Sequence, residues 1–278
     1  MEFKARDRRL EGDTPLRQCQ LVQLYLLEIL DEICKKHGLK YYLDFGTLLG
    51  ALRHGGAIPW DDDLDVSMPI SDYKEFLTLA SNELPDGVLL QTPTMNGGFF
   101  TATSRLRDCK SFYLEKWGCY SGAAGIFVDI YPLVRRRRYP NFIGRKISQL
   151  RGMAFCSEIG NRIAVNYNLA QAWKHVIMAS FWRLVDGLAV VCGRVISLGR
   201  KWCWTMSPEL ERSFRQFEDD DIFPLITHRY EGREFPVPHK PEKLLEAYYG
   251  NWRELPPEEK RHPYDKMKLI LPTQAPRY

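Results

Sequence analysis

The sequence contains no uninterrupted apolar run long enough to cross a bilayer. Its longest apolar helical stretch, Ala172 to Leu198, is broken by Arg183, Asp186 and Arg194, each costly at mid-membrane, so it reads as a buried or interfacial helix. Seven cysteines, at positions 19, 34, 109, 119, 156, 192 and 203, are odd in number and lack a CxxC pair, which excludes a disulfide framework or a zinc site of the usual spacing. They read as reduced, mostly buried thiols. The charge balance of 39 Lys+Arg against 35 Asp+Glu suits an anionic substrate but falls far short of a nucleic-acid binder. The first ten residues are charged throughout, with no apolar signal core, so the expected compartment is the cytoplasm. No internal repeat or low-complexity tract occurs, and 45% hydrophobic residues over 278 positions suffice for a globular core.

Present instead is one informative stretch, Asp44 to Val66, in which a glycine turn and an acidic segment lie within one chain reversal. Apolar residues at Val22, Leu26, Ile29, Leu30 and Ile33 predict a helix from about Cys19 to Cys34, stopping at Gly38. A strand over Tyr41 to Phe45, a turn at Gly46-Thr47, a short helix over Leu48 to Arg53 and a strand over Leu64 to Met68 follow. Ser71 or Asp72 is expected to cap a helix reaching about Ala80. Further strands are expected at Val88 to Thr92, Phe99 to Leu106 and Gly125 to Tyr131, and a helix at Glu242 to Tyr249 ending on Gly250. The fold class is therefore α+β, a mixed sheet with flanking helices and an added helical region. Its parts form one domain, 1–278: a core over 16–134, a helical region over 135–232 and a closing segment over 233–278.

Asp63 and Asp65 are separated by one apolar residue, so a strand sends both carboxylates to one face while Leu64 and Val66 enter the core. Unpaired acids on a half-buried strand are destabilising, and two such oxygen ligands call for a hard cation such as Mg²⁺. Asp129 is a lone acid on an otherwise apolar strand; it either joins the pair as metal ligand or general base, or is salt-bridged to a core arginine. Backbone N–H groups at Gly46 and Thr47 are candidate phosphate donors, with Gly46 leaving room for approach. Arg53, Arg105 and Arg107 are candidate diphosphate partners or structural cations. His54 reads as a loop histidine. Tyr248, Tyr249 and Trp252 are candidates for stacking on a base or sugar, or for core packing. Arg135 to Arg138 read as a solvated loop, or as a contact with anionic lipid together with Arg145, Lys146 and Arg151.

Four segments in order, Gly46 to His54 (GTLLGALRH), Ile58 to Val66 (IPWDDDLDV), Phe127 to Pro132 (FVDIYP) and Tyr249 to Arg261 (YGNWRELPPEEKR), resemble the LicD family. That family is a branch of the nucleotidyltransferase-fold superfamily and is related to the fukutin group. The resemblance implies a nucleotidyltransferase-like fold, with the Gly-Ser-like turn falling on Gly46-Thr47, the acid pair on Asp63 and Asp65, and the third acid on Asp129. It implies Mg²⁺, with Mn²⁺ as a substitute. It also implies transfer of phosphocholine from CDP-choline to a sugar hydroxyl of a cell-surface glycan or lipopolysaccharide precursor, with release of CMP. Phosphoethanolamine, aminoethylphosphonate or a polyol phosphate are the alternative groups, and a non-catalytic glycan- or lipid-binding scaffold is the alternative class. Arg105 or Arg107 falls where the family has a basic residue beside the donor phosphates. The expected partners are a CDP-linked donor and a glycan or lipid-linked sugar acceptor, with no nucleic acid. The region from about Arg135 to Phe235, where motif similarity is slight, is assigned to the acceptor, and a lipid-linked acceptor would bring peripheral contact with the inner face of the membrane.

Overall fold

The computed structural model describes residues 3–92, 103–114, 125–147, 149–151, 169–206, 215–261 and 268–270. They fall into two compact units, one built from residues 1–99, 103–132 and 220–278, the other from 100–102 and 133–219.

The first unit is organised by helix α1, Pro15–His37. Thr14 caps it, its hydroxyl accepting from the Arg17 N–H at 3.2 Å, and Pro15 supplies the fixed φ of a first helical residue. Gly38, at φ 67°, ends it in a left-handed conformation beside Lys35, Lys36 and His37, which complement the helix dipole. Val22, Leu26, Ile29, Leu30 and Ile33 have no exposed surface. Burying such side chains stabilises by roughly 1.5–3 kcal/mol each. The strands are β1 (Tyr42–Leu43), β2 (Asp65–Pro69), β3 (Val88–Gln91), β4 (Ser104–Asp108) and β6 (Phe127–Arg137), in sheet order β1-β2-β6-β4-β3. Register sets Arg105 opposite Asp129, Leu106 opposite Val128 and Arg107 opposite Phe127. Ile126, Val128, Ile130 and Leu106 are fully buried, and α1 packs against β4 and against α3, Ile70–Glu83. Strand alternation thereby sends Asp129, Arg105 and Arg107 to the other face.

Strand β5 (Phe112–Leu114) pairs with β10 (Lys268–Ile270), and β8 (Ile226–Tyr230) with β9 (Arg233–Val237), both antiparallel. The β8–β9 hairpin packs on β1 and on α2, Phe45–His54, which also contacts the C-terminal helix α5, Pro241–Tyr249.

Several boundaries differ from expectation. Helix α2 begins at Phe45, because the Asp44 carboxylate accepts from the Phe45 N–H at 2.9 Å and starts the helix early; Gly46 and Thr47 are in its first turn rather than before it. Asp63 precedes β2 and lies in the loop that enters it. Neither Ser71 nor Asp72 caps α3, which starts directly after Pro69 and runs to Glu83. Residues 99–102 of the strand expected at Phe99 to Leu106 lie outside the described residues.

In the second unit, β6 continues through Leu133–Arg137 and pairs antiparallel with β7, Trp202–Met206. Arg135, Arg136 and Arg137 are thus strand residues, not a loop. Helix α4, Leu169–Ile196, packs Ala189 against Tyr139 and Ile147. Gly193 is required at that contact, since a Cβ there would fall 2.4 Å from the Tyr139 hydroxyl. No described helix is long and apolar enough to cross a membrane.

Candidate active site

A cleft of about 660 Å³ in the first unit is walled on one side by Asp61, Asp63 and Asp65 and on the other by Arg53, Tyr249 and Trp252. Its floor is the start of α2. Phe45 holds a strained φ of 45° there, fixed by ring contacts with Tyr131 at 5.3 Å and Tyr248 at 4.8 Å. Gly46 faces the acids directly: a Cβ on it would lie 2.8 Å from Asp61 Oδ2 and 3.9 Å from Asp63 Oδ1. The space left by the missing side chain is where the Asp61 carboxylate sits. Thr47 uses its hydroxyl to accept from the Asp65 N–H at 2.8 Å, tying α2 to the entrance of β2.

The acidic loop is held from outside. Gln20 of α1 donates to the carbonyls of Ile58 and Asp61 at 3.0 and 2.9 Å, and Gln23 donates to the Asp62 carbonyl at 2.6 Å. Tyr113 donates to the Asp62 carboxylate at 3.1 Å, which turns that acid away from the cleft wall. Glu231, in the β8–β9 turn, accepts from the Ala57 N–H at 2.9 Å and takes both Arg17 nitrogens at 2.9 and 2.6 Å. Burial alone would raise the Glu231 pKa, but these hydrogen bonds hold it below the usual carboxylate value. Glu231→Gln should therefore cost about 1–3 kcal/mol at neutral pH. Because the folded pKa is the lower one, that contribution is present above the ordinary carboxylate range and fades as pH falls through it. Denaturant unfolding of both proteins at pH 7 and pH 4 should give a gap that narrows in acid.

The cleft acids have a different environment. Burial, then repulsion from Asp63, Asp129, Asp61 and Asp44, pushes Asp65 well above the normal carboxylate pKa. Asp63 keeps accessible surface because it faces the cleft, yet the surrounding walls and then Asp61, Asp62 and Asp129 push it up as well. Asp61 is raised to about 6, chiefly by burial. Among the described residues no lysine or arginine pairs with Asp63 or Asp65. Asp129 is different: its carboxylate takes Arg105 Nε at 2.7 Å and Nη2 at 3.3 Å, with Thr103 Oγ1 at 3.3 Å. Asp129 neighbours the acid cluster and is bound to a core arginine. No three His, Cys, Asp or Glu side chains among the described residues are arranged to hold a metal ion by themselves. Mg²⁺ characteristically takes one or two carboxylates and completes its shell with water and phosphate oxygens, so the Asp63–Asp65 pair matches that donor set.

The basic candidates separate. Arg105 stacks on Phe127 at 3.8 Å and serves Asp129. Arg107 donates to Gln91 and to the Gly125 carbonyl at 2.8 Å, away from the cleft lining. Arg53 lines the cleft and holds the Trp252 and Glu254 carbonyls at 3.0 and 3.3 Å, bracing the opposite wall. His54 closes α2 and lies edge-on to Trp60 at 5.7 Å. Trp252 also lines the cleft, and its buried indole N–H has no hydrogen-bond partner. Sequence reasoning gave no role to Asp44, Asp61, Gln20, Gln23, Glu231 or Tyr131. Two glutamines within the mostly buried α1 were the available signal for the loop's anchor.

Residues 38–154 match the model of the LicD/FKTN/FKRP nucleotidyltransferase domain. The lipopolysaccharide cholinephosphotransferase LicD of Haemophilus influenzae is 26% identical over 264 residues, covering 90% of this chain and 95% of that protein. The human ribitol 5-phosphate transferase FKRP is 39% identical over 74 residues, 22% of this chain and 14% of its own length. Mannosyltransferase regulator 4 of Saccharomyces cerevisiae is 34% identical over 108 residues, 37% of this chain and 9% of its own length. The LicD match thus extends beyond the domain to nearly the whole chain, whereas the eukaryotic matches are local.

Proposed function

We propose that this LicD-family enzyme transfers phosphocholine from CDP-choline to a sugar hydroxyl of a cell-surface glycan or lipopolysaccharide precursor, releasing CMP. It is a phosphotransferase of the LicD type. The observation that carries the reading is the Asp63–Asp65 pair: two carboxylates with raised pKa and, among the described residues, no cationic side chain paired with them, opening on a cleft beside the first turn of α2. Such a pair is stable only with a bound cation or with retained protons, and a diphosphate donor brings the former.

In this reading Asp63 and Asp65 hold a Mg²⁺ or Mn²⁺ ion, which when bound would neutralise charge on the donor diphosphate. The first-turn N–H groups at Gly46 and Thr47 orient a phosphate oxygen, and Thr47 keeps Asp65 in register with them. Asp129, held by Arg105 and Thr103, acts as third ligand or accepts the proton of the acceptor hydroxyl. Arg53 shapes the wall that receives the donor, and Tyr249 and Trp252 supply stacking surface and the free indole donor. The acceptor is a glycan or lipid-linked sugar, and the reaction is assigned to the cytoplasmic face of the membrane. A polyol phosphate as the transferred group is the second reading, favoured by the 39% identity to FKRP over part of the domain.

The test is CMP release from a panel of CDP-linked donors with Mg²⁺. Release from CDP-choline, abolished by EDTA, supports the reading. Release only from CDP-ribitol would replace it with the second, and no release with any donor would overturn both.

A further inference from the structure

Charge is segregated along this chain. Residues 133–206 contain thirteen lysines and arginines against two acids, although the whole sequence holds 39 against 35, so the remainder is net acidic. Arg135 and Arg138 are offset by Asp219 and Glu218, and Arg151 by Asp186. Arg145, Lys146, Arg183, Arg194, Arg200 and Lys201 are exposed.

Helix α4 carries a second anomaly on its outward face. Ile177, Phe181, Leu184, Leu188, Val191 and Val195 follow at alternating steps of four and three and are each 54–63% exposed. At about 100° per residue they form one stripe about 80° wide. Arg183 and Arg194 fall together on one flank of that stripe, while Asp186, the only acid of the helix, points the other way, to Arg151 at 2.6 Å. A contiguous apolar stripe of this size is rarely left in water.

We propose that this face of α4 is seated in the interface of an anionic lipid bilayer, with the stripe among the acyl chains and Arg183 and Arg194 among headgroup phosphates. An apolar stripe with a basic flank, on a helix whose single acid lies on the opposite side, is the pattern of a helix lying in the interface plane, and among the described residues no helix is apolar enough over a spanning length to cross. A second copy of the chain is a poorer occupant, because two such faces laid together would bring arginine flanks of like charge into contact. The proposal names the surface behind the membrane-face element of the proposed function, but it rests on the second unit alone and not on the transferase chemistry.

The test is flotation of the purified full-length protein with vesicles of neutral lipid and with vesicles of about one-third phosphatidylglycerol. Partition into the anionic vesicles should be at least about tenfold greater and should weaken with salt. The double variant Leu188→Glu, Val191→Glu, at positions too exposed to disturb the core, should lose at least about tenfold while keeping its far-ultraviolet dichroism. Arg183→Gln with Arg194→Gln should reduce the preference for anionic lipid. Asp65→Asn should bind vesicles as the parent does, so a failure of the transferase reading leaves this result unaffected. Equal partition of parent and double variant, or a dimer of the parent that the double variant abolishes in size-exclusion chromatography, would overturn the proposal.

Discussion

Asp65→Asn is expected to slow donor cleavage about a thousandfold while making the metal-free protein more stable. The two effects share one cause. Asp65 is buried at the head of β2, pressed by Asp63, Asp129, Asp61 and Asp44, and no cationic side chain among the described residues offsets it. Removing that charge without changing shape should relieve repulsion and stabilise the folded state by about 0.5–2 kcal/mol. The backbone N–H of residue 65 still donates to Thr47, so the register of α2 and β2 is kept. Asp63→Asn should behave alike, with a smaller gain in stability because Asp63 faces the open cleft. Thermal unfolding without and with Mg²⁺ checks the stability half: the ion should raise the melting temperature of the parent and not of the variants. A parent that is insensitive to Mg²⁺, or a variant within tenfold of its rate, would remove the pair from the chemistry.

The second large effect is on stability. Arg105→Met is expected to cost about 3–5 kcal/mol, because it leaves the Asp129 carboxylate buried and uncompensated while retaining an apolar stem near Phe127. Adding Asp129→Asn should restore most of that loss, since both charges are then gone. Activity separates structure from chemistry: the stable double variant should remain inactive if Asp129 binds the ion or takes the proton. Urea titrations give the first result and CMP release the second. A double variant that is both stable and active would reduce Asp129 to a structural partner of Arg105.

Local signals in the sequence carried much of the fold. Helix α1 was legible because its apolar period is interrupted only near its ends, by Pro15 and Gly38. The acid pair was legible from spacing and from the apolar residues around it. What local reading missed depends on partners far along the chain. Arg105 and Arg107 look equivalent in the sequence, yet strand register sets one opposite Asp129 and the other opposite Phe127. Arg135 to Arg137 read as a loop because nothing near them announces pairing with Trp202 to Trp204. Gln20, Gln23 and Glu231 hold the acidic loop through its backbone, a role that leaves no mark on the loop's own side chains. Asp44 was visible as the start of the motif, but its capping bond, which draws Gly46 and Thr47 into the helix, is a matter of geometry.

The most direct test of the central claim is the anomalous scattering of Mn²⁺ in a crystal of the protein grown with CDP-choline. A single strong peak within about 2.1–2.2 Å of carboxylate oxygens from both Asp63 and Asp65, and in contact with the donor diphosphate, is the expected result. A bound donor with no peak at that pair, its diphosphate held by arginine side chains alone, would contradict the assignment of these two acids as the metal-binding centre.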